Sequence, residues 1–170
     1  MARVLMVIAP EVFRDEEYDH PKQALESRGA TVTTASTRVG ACHGKLGMTA
    51  EATLALTDAR AVDYDAVVFV GGGGAQVFFD DPAAHALARD MHALDRVVAA
   101  ICIAPSVLAR AGLLRDVHAT AFPSQHDDLV AHGALWTTGP FEIDGRIITA
   151  NGPDAARDFG LAIANALRLP

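Results

Sequence analysis

Three continuous apolar runs constrain the fold of this chain more than any other feature of the sequence. They are RVLMVIA at 3–9, DAVVFV at 65–70 and VVAAIC at 97–102, and a segment of helical character follows each of them. A strand that is apolar at every position, rather than at every second position, is covered on both faces. Such strands alternating with helices predict an α/β fold, with a doubly wound, mostly parallel sheet and helices on both faces.

The remaining segments add shorter predicted elements to this frame. Helices are predicted over 15–28, 82–95, 104–112 and 153–168, and a β-branched strand over 31–36. Short strands are predicted near 117–120, 134–137 and 146–150, while the turn-rich stretch 37–60 has room for one short hairpin. Because no repeat, low-complexity tract or linker interrupts the chain, residues 1–170 are predicted to form one domain.

Composition and charge exclude several classes of partner. The chain is 51% hydrophobic, and its net charge of −7 disfavours nucleic acid and anionic membranes. The apolar stretch from Val4 to Ala9 is too short for the core of a signal peptide, and no segment reaches the ~20 apolar residues of a membrane span. Only two cysteines are present, so no disulfide framework is expected. We therefore expect a cytoplasmic protein.

Unusual residues follow the carboxyl ends of the three apolar strands, where ligands bind in open α/β sheets. Cys102 ends one of these strands directly before a predicted helix, whose dipole would favour the thiolate, although a small buried hydrophobic role is equally open. The glycine run Gly71–Gly74 follows another strand. Its N–H groups can stabilise an oxyanion, or it can be only a flexible turn.

Two further groups of polar residues are candidates for the same region. The acidic group Asp15, Glu16 and Glu17 opens the first predicted helix, where carboxylates commonly stabilise the helix N-terminus. The histidines lack metal-ligand spacing, so no metal site is predicted. His118 and His126 follow the Cys102 helix at short intervals and are candidate neighbours of the cysteine.

Across nearly its whole length the sequence resembles the ThiJ/PfpI superfamily. The blocks that carry the resemblance are RVLMVIAPEVFRDEEYDHP, DAVVFVGGGGAQ and VVAAICIAPSVLARAGLLRDVHATAFPSQHDDLVAHGALW. The superfamily includes PfpI-type intracellular peptidases, the Parkinson-disease-associated protein deglycase family and glyoxalase III enzymes. The resemblance implies a flavodoxin-like sandwich related to class I glutamine amidotransferases. It also implies a homodimer, with a hexamer as the alternative.

The resemblance also implies roles for individual residues. The family's elbow cysteine falls on Cys102, and its glutamate, four residues before a proline, falls on Glu17. In the family this glutamate is typically protonated and hydrogen-bonded to the sulfur. The N–H groups of Gly72 and Ile103 would be the oxyanion donors, and the substrate pocket would include Gly73.

The sequence departs from the peptidase pattern of the family at several positions. Ile103 stands where PfpI-type peptidases have the histidine that follows the nucleophile, and Gln76 stands at the position of the triad acid. Phe122 stands where many relatives have a histidine near the sulfur. His126 from the same loop is a candidate replacement, and both residues are predicted to lie near the substrate pocket. A Cys-His-acid mechanism needs the missing base, so a peptidase or amidase activity is disfavoured.

The leading hypothesis is a glyoxalase III-like or deglycase-like activity on small reactive carbonyl compounds. Cys102 would attack an aldehyde, Glu17 would transfer protons, and no cofactor would be needed. The alternative is a redox sensor or stress chaperone that acts through oxidation of Cys102. The role of Cys42 is open, since it can be either an exposed or a packed thiol.

Overall fold

The computed structural model describes all 170 residues, from Met1 to Pro170. Its strands are β1 Arg3–Val7, β2 Glu11–Phe13, β3 Thr31–Ser36, β4 Gly40–Gly44, β5 Thr49–Ala52, β6 Leu54–Ala55, β7 Ala66–Phe69, β8 Val97–Ile101, β9 His118–Ala119, β10 Leu135–Trp136, β11 Phe141–Asp144 and β12 Ile147–Ala150. Its α-helices are α1 Asp15–Glu26, α2 Pro82–Ala93, α3 Pro105–Arg110, α4 His126–Ala131 and α5 Ala156–Ala166. Short 3₁₀ turns connect several of them.

Seven strands form the central sheet, in the order β11-β12-β8-β7-β1-β3-β6. All neighbouring pairs are parallel except β11 and β12, which are antiparallel. The chain moves from β1 outward to β3 and β6, then returns to place β7 on the other side of β1. The predicted doubly wound, flavodoxin-like α/β fold is confirmed.

This strand order places the switch of winding direction between β1 and β7. At such a switch the connections that leave two neighbouring strands diverge to opposite faces, which opens a crevice beyond their carboxyl ends. The connection after β1 contains β2 and the start of α1, and the connection after β7 begins with Gly71–Gly74. The segments that follow β1, β7 and β8 therefore meet at the carboxyl ends of these neighbouring strands.

The apolar core lies in two layers, one on each face of the sheet. One layer joins the sheet to α2 and α3, and the other joins it to α1, α5 and the small β2-β4-β5 sheet. All residues of β7 and β8 are buried, which accounts for their unbroken apolar sequence. Cys42 belongs to the second layer and is fully buried, so the packed alternative for this thiol is correct.

Several predicted boundaries differ from the structure because short elements carry weak periodic signals. The first strand ends at Val7 rather than at residue 9, and the separate strand β2 was not predicted. The helix expected over 104–112 covers only Pro105–Arg110. The hairpin expected within 37–60 is present as β4 and β5. The edge strand β11 and the helix α4 were not predicted.

None of the helices combines the length and the apolar character that crossing a membrane requires.

Candidate active site

Cys102 occupies a sharp turn directly after β8. Its backbone has φ of 64°, in the left-handed region that residues with a Cβ rarely adopt. Two hydrogen bonds hold this conformation: its N–H donates to the carbonyl of Ala150 at 2.9 Å, and its carbonyl accepts from the N–H of Phe122 at 2.8 Å. Residues held in such strained backbone regions cluster at functional sites. The turn leaves the side chain partly exposed at the carboxyl edge of the sheet.

Glu17 lies on the first turn of α1 with its side chain completely buried. Neither of its carboxyl oxygens has a partner at normal hydrogen-bond distance and angle. The carboxyl and Cys102 meet at Gly71: a Cβ added there would collide with Oε1 of Glu17 and lie 2.6 Å from the Cβ of Cys102. The absence of a side chain at Gly71 is therefore what allows the two groups to approach.

Burial is the main influence on the protonation of both groups. It raises the pKa of Glu17 to about 7, although the neighbouring Cys102 and Arg14 act in the opposite direction. The pKa of Cys102 is raised to about 12, first by burial and second by the negative charge of Glu17. The N–H groups of Gly72 and Ile103 point toward the sulfur and favour its anionic form.

The expectation that a helix dipole makes Cys102 a readily formed thiolate is therefore wrong. The following helix has only six residues and begins at Pro105, three positions after the cysteine, and burial of the thiol opposes its ionisation. Because the two groups are adjacent, they titrate as a pair. Between the two pKa values the pair carries one negative charge, either as a carboxylate beside a thiol or as a thiolate beside a carboxylic acid.

The glycine run is tightly packed, so the alternative of a flexible turn is wrong. Gly72 has φ of 95°, and a Cβ there would lie 2.6 Å from the carbonyl oxygen of Val12. A Cβ at Gly74 would collide with the carbonyl of Glu11. The carbonyl of Gly71 accepts the N–H of Arg14 at 3.0 Å. These contacts hold the backbone of the run in one conformation beside the cysteine.

A cavity of about 460 Å³ opens above Cys102 and Glu17. Among the residues predicted from the sequence, it is lined by Gly72, Gly73, Ile103 and Phe122. Gln76 also lines the cavity, although the sequence had marked it only as a departure from the peptidase pattern. Six further lining residues were not predicted from the sequence: Arg14, Lys45, Phe79, Ser124, Gln125 and Pro153. Most of them lie on loops, where no periodic pattern marks a side chain as part of a site.

No histidine lines this cavity. His126 lines a neighbouring cavity of about 290 Å³, where its ring packs edge-to-face on Trp136 at 5.0 Å. Its Nδ1 lies 2.9 Å from a carboxylate oxygen of Asp127. His118 is directed elsewhere and pairs with Asp144 at 3.1 Å. The structure thus places both candidate histidines outside the pocket of Cys102.

The three acidic residues that open α1 have different partners. Asp15 is nearly buried and accepts the N–H groups of Leu46 and Met48 at 3.1 and 2.9 Å, which ties the β4–β5 turn to the helix. Glu16 pairs with Arg14 at 2.9 Å. Only Glu17 lies against the cysteine, and it is the member of the group that the resemblance had singled out.

The structure has a cysteine at a strand-to-helix turn with a buried glutamate beside it. This is the arrangement that the sequence resemblance implied. The family model described as DJ-1/PfpI family matches residues 2–166, which include every residue of the cavity. The chain belongs to the DJ-1/PfpI family. Membership is shown by the extent of this match together with the close relatives described next.

Two relatives and one solved structure show how closely the chain resembles other DJ-1/PfpI proteins. An uncharacterized protein of Methanocaldococcus jannaschii is 40% identical over 169 residues, covering 98% of this chain and 82% of that protein. A deglycase of Pyrococcus horikoshii is 30% identical over 151 residues, covering 89% of this chain and 90% of the relative. The crystal structure of a ThiJ/PfpI domain protein from Brachyspira murdochii superimposes with a TM-score of 0.96 at 32% identity, covering 98% of this chain and 96% of that one.

Proposed function

We propose that this DJ-1/PfpI protein converts small reactive dicarbonyl compounds, such as methylglyoxal, into hydroxy acids through Cys102 and Glu17. The observation that carries the proposal is a completely buried, unpartnered carboxyl against a cysteine at a strained turn. A carboxyl with a pKa near 7 can both give and take a proton at neutral pH. The relative named as a deglycase belongs to the same family, which is consistent with chemistry on carbonyl compounds.

The first step is addition of the Cys102 thiolate to the aldehyde carbon of the substrate. A carbon–sulfur bond forms while the π electrons of the carbonyl move to its oxygen. The N–H groups of Gly72 and Ile103, which point toward the sulfur, lie next to the oxyanion on the attached carbon. Protonated Glu17 supplies the proton, and the product is a neutral hemithioacetal.

The second step is a proton transfer between the two carbons of the dicarbonyl unit. The Glu17 carboxylate takes the proton from the carbon bound to sulfur and returns it to the neighbouring carbon. The hydroxyl proton of the hemithioacetal moves to the ketone oxygen, which leaves a thioester of the 2-hydroxy acid. Water then hydrolyses the thioester and restores the thiol. The overall change is addition of one water to the oxo aldehyde, with no external oxidant or reductant.

Formation of lactate from methylglyoxal tests this function directly. Cys102→Ala and Glu17→Gln are each expected to lower kcat/KM by about 10²-fold or more, since one removes the nucleophile and the other the proton carrier. Cys42→Ala is the matched control, because this second cysteine is buried away from the cavity. No lactate from the wild type, or undiminished activity of Cys102→Ala, contradicts the proposal.

A redox function is the second candidate, favoured by the absence of any imidazole from the cavity. Attack of the thiolate on hydrogen peroxide forms a sulfenic acid, with sulfur oxidised by two electrons and the peroxide reduced to water; a second peroxide gives the sulfinic acid. Gly72 and Ile103 can donate to the new oxygens. Mass spectrometry of peroxide-treated protein tests this candidate, and an unmodified Cys102 at modest peroxide would count against it.

Peptidase activity remains the least favoured candidate. Ile103 cannot act as a base, and no histidine of the chain lines the cavity. We expect no release of fluorophore from peptide substrates beyond the level of Cys102→Ala, and release that depends on Cys102 would overturn this expectation.

A further inference from the structure

We infer that Lys45 selects substrates that carry an anionic group, so that the carbonyl compound attacked by Cys102 bears a carboxylate or phosphate on its far side. This inference rests on the proposed function and names the substrate class for the same cavity. It depends on three observations: the charges that line the cavity, the absence of a protein partner for Lys45, and the way the β4–β5 turn is held.

The charged residues that line the cavity are Arg14, Glu17 and Lys45. Glu17 lies fully buried at the base, and burial raises its pKa to about 7. Arg14 is already neutralised, because its guanidinium donates to Glu16 at 2.9 and 3.1 Å. The wall of the cavity therefore holds one cation without an acidic partner, although the chain as a whole has a net charge of −7.

Lys45 is the cation of this wall that no protein group neutralises. The chain has only two lysines, and the other, Lys22, forms an ion pair with Glu26 at 2.9 Å on α1. No carboxylate lies within ion-pair distance of Lys45, whose side chain is exposed at the cavity. An ammonium group at the mouth of a partly apolar cleft attracts anions more strongly than one on open surface, because the surrounding dielectric is lower.

The backbone at Lys45 is held in place by the same helix that carries Glu17. The N–H of Lys45 donates to the carbonyl of Phe13 at 2.8 Å. On its C-terminal side, the nearly buried Asp15 accepts the N–H groups of Leu46 and Met48. Asp15 is thus a positioning residue, which ties the turn that carries Lys45 to the helix that carries Glu17.

The volume of the cavity limits the size of the substrate. A cleft of about 460 Å³ is of a size that holds a small molecule of several carbons. The geometry points to an oxo aldehyde with the aldehyde at Cys102 and an anionic tail at Lys45. Such a compound gains one water and becomes a 2-hydroxy acid that keeps its anionic tail, as in the steps proposed above.

A pair of substrates that differ only in charge tests the role of Lys45. We compare 4,5-dioxopentanoate with its methyl ester, and expect the kcat/KM ratio of acid to ester to fall about three- to fivefold in Lys45→Met, the size of an exposed ion pair. Lys22→Met changes the net charge equally and should leave the ratio unchanged, whereas Lys45→Arg should preserve most of the preference. An unchanged ratio in Lys45→Met overturns the inference.

A second measurement does not depend on turnover. Iodoacetate and iodoacetamide alkylate Cys102 by the same displacement of iodide, but only iodoacetate is an anion. The ratio of the iodoacetate rate to the iodoacetamide rate at Cys102, followed by peptide mass spectrometry, should fall about three- to fivefold in Lys45→Met. In the wild type, high salt should also lower this ratio, but by a smaller factor. If methylglyoxal is not converted and this ratio still falls, the proposed function fails while the anion site stands. If conversion occurs and neither ratio falls, only the role of Lys45 fails.

Discussion

Replacing Glu17 by glutamine should change how the stability of the protein depends on pH. Burial raises the pKa of the Glu17 carboxyl from its usual 4.5 to about 7 in the folded protein. A group whose pKa is raised by folding contributes its full stability below the unfolded pKa and loses it as the pH rises through the folded pKa. The loss attributed to Glu17 therefore begins near pH 4.5 and is complete just above pH 7.

The magnitude follows from the two pKa values. One pKa unit corresponds to about 1.4 kcal/mol, so the carboxyl costs the folded state about 3 kcal/mol at pH 8 relative to pH 4. Glutamine has nearly the same shape as the protonated acid and never ionises. The free energy of unfolding of Glu17→Gln minus that of the wild type should therefore increase by about 3 kcal/mol from pH 4 to pH 8.

Urea unfolding at several pH values between 4 and 8 measures this difference. All other titrating groups are common to both proteins, and any cost of burying the amide is the same at each pH. Glu26→Gln is the matched control, since Glu26 is exposed and pairs only with Lys22. A difference between wild type and Glu17→Gln that stays constant within about 0.5 kcal/mol over this range would refute the interpretation of Glu17 as a carboxyl held neutral by burial.

Three further predictions concern the same region. Alkylation of Cys102 by iodoacetamide should accelerate through about pH 7, level off and rise again toward pH 12, and the first step should vanish in Glu17→Gln; a single step near pH 9 would contradict the pairing. Gly71→Ala should cost about 1–3 kcal/mol by forcing Glu17 and Cys102 apart, whereas Gly139→Ala, with its nearest atom at 3.5 Å, should cost little in urea unfolding. Asp15→Ala leaves the Leu46 and Met48 N–H groups unpaired and should cost about 1–3 kcal/mol, with faster amide exchange there; unchanged exchange would contradict its role.

Much of the fold could be predicted because its signals are local and repeated. Strands β7 and β8 are buried at every position, and this burial is visible in the sequence as unbroken apolar runs. Short elements without a continuous apolar run, such as β11 and α4, contain too few positions for a period to appear. Their existence depends on neighbours that are distant in sequence, such as the antiparallel pairing of β11 with β12.

Some residues of the candidate site could likewise be predicted from the sequence, and others could not. Cys102 could be singled out from the end of a buried strand, and Glu17 from its distance to a proline within a family resemblance. The direction of a loop side chain has no such signal. His126 directly follows Gln125, which lines the cavity, yet it packs on Trp136 in a different cavity. Lys45 lies 57 positions before Cys102, and a carboxylate of α1 brings its turn to the site.

The sequence by itself determined the alternation of the main buried strands with helices and the position of the cysteine at the end of β8, because both follow from burial patterns along the chain. Only the tertiary structure decided that the thiol has a raised pKa, that Gly71 leaves room for Glu17 beside it, and that Lys45 lines the same cavity. The physical reason is that hydration and charge at one atom depend on every group around it in space, and most of those groups are distant in sequence.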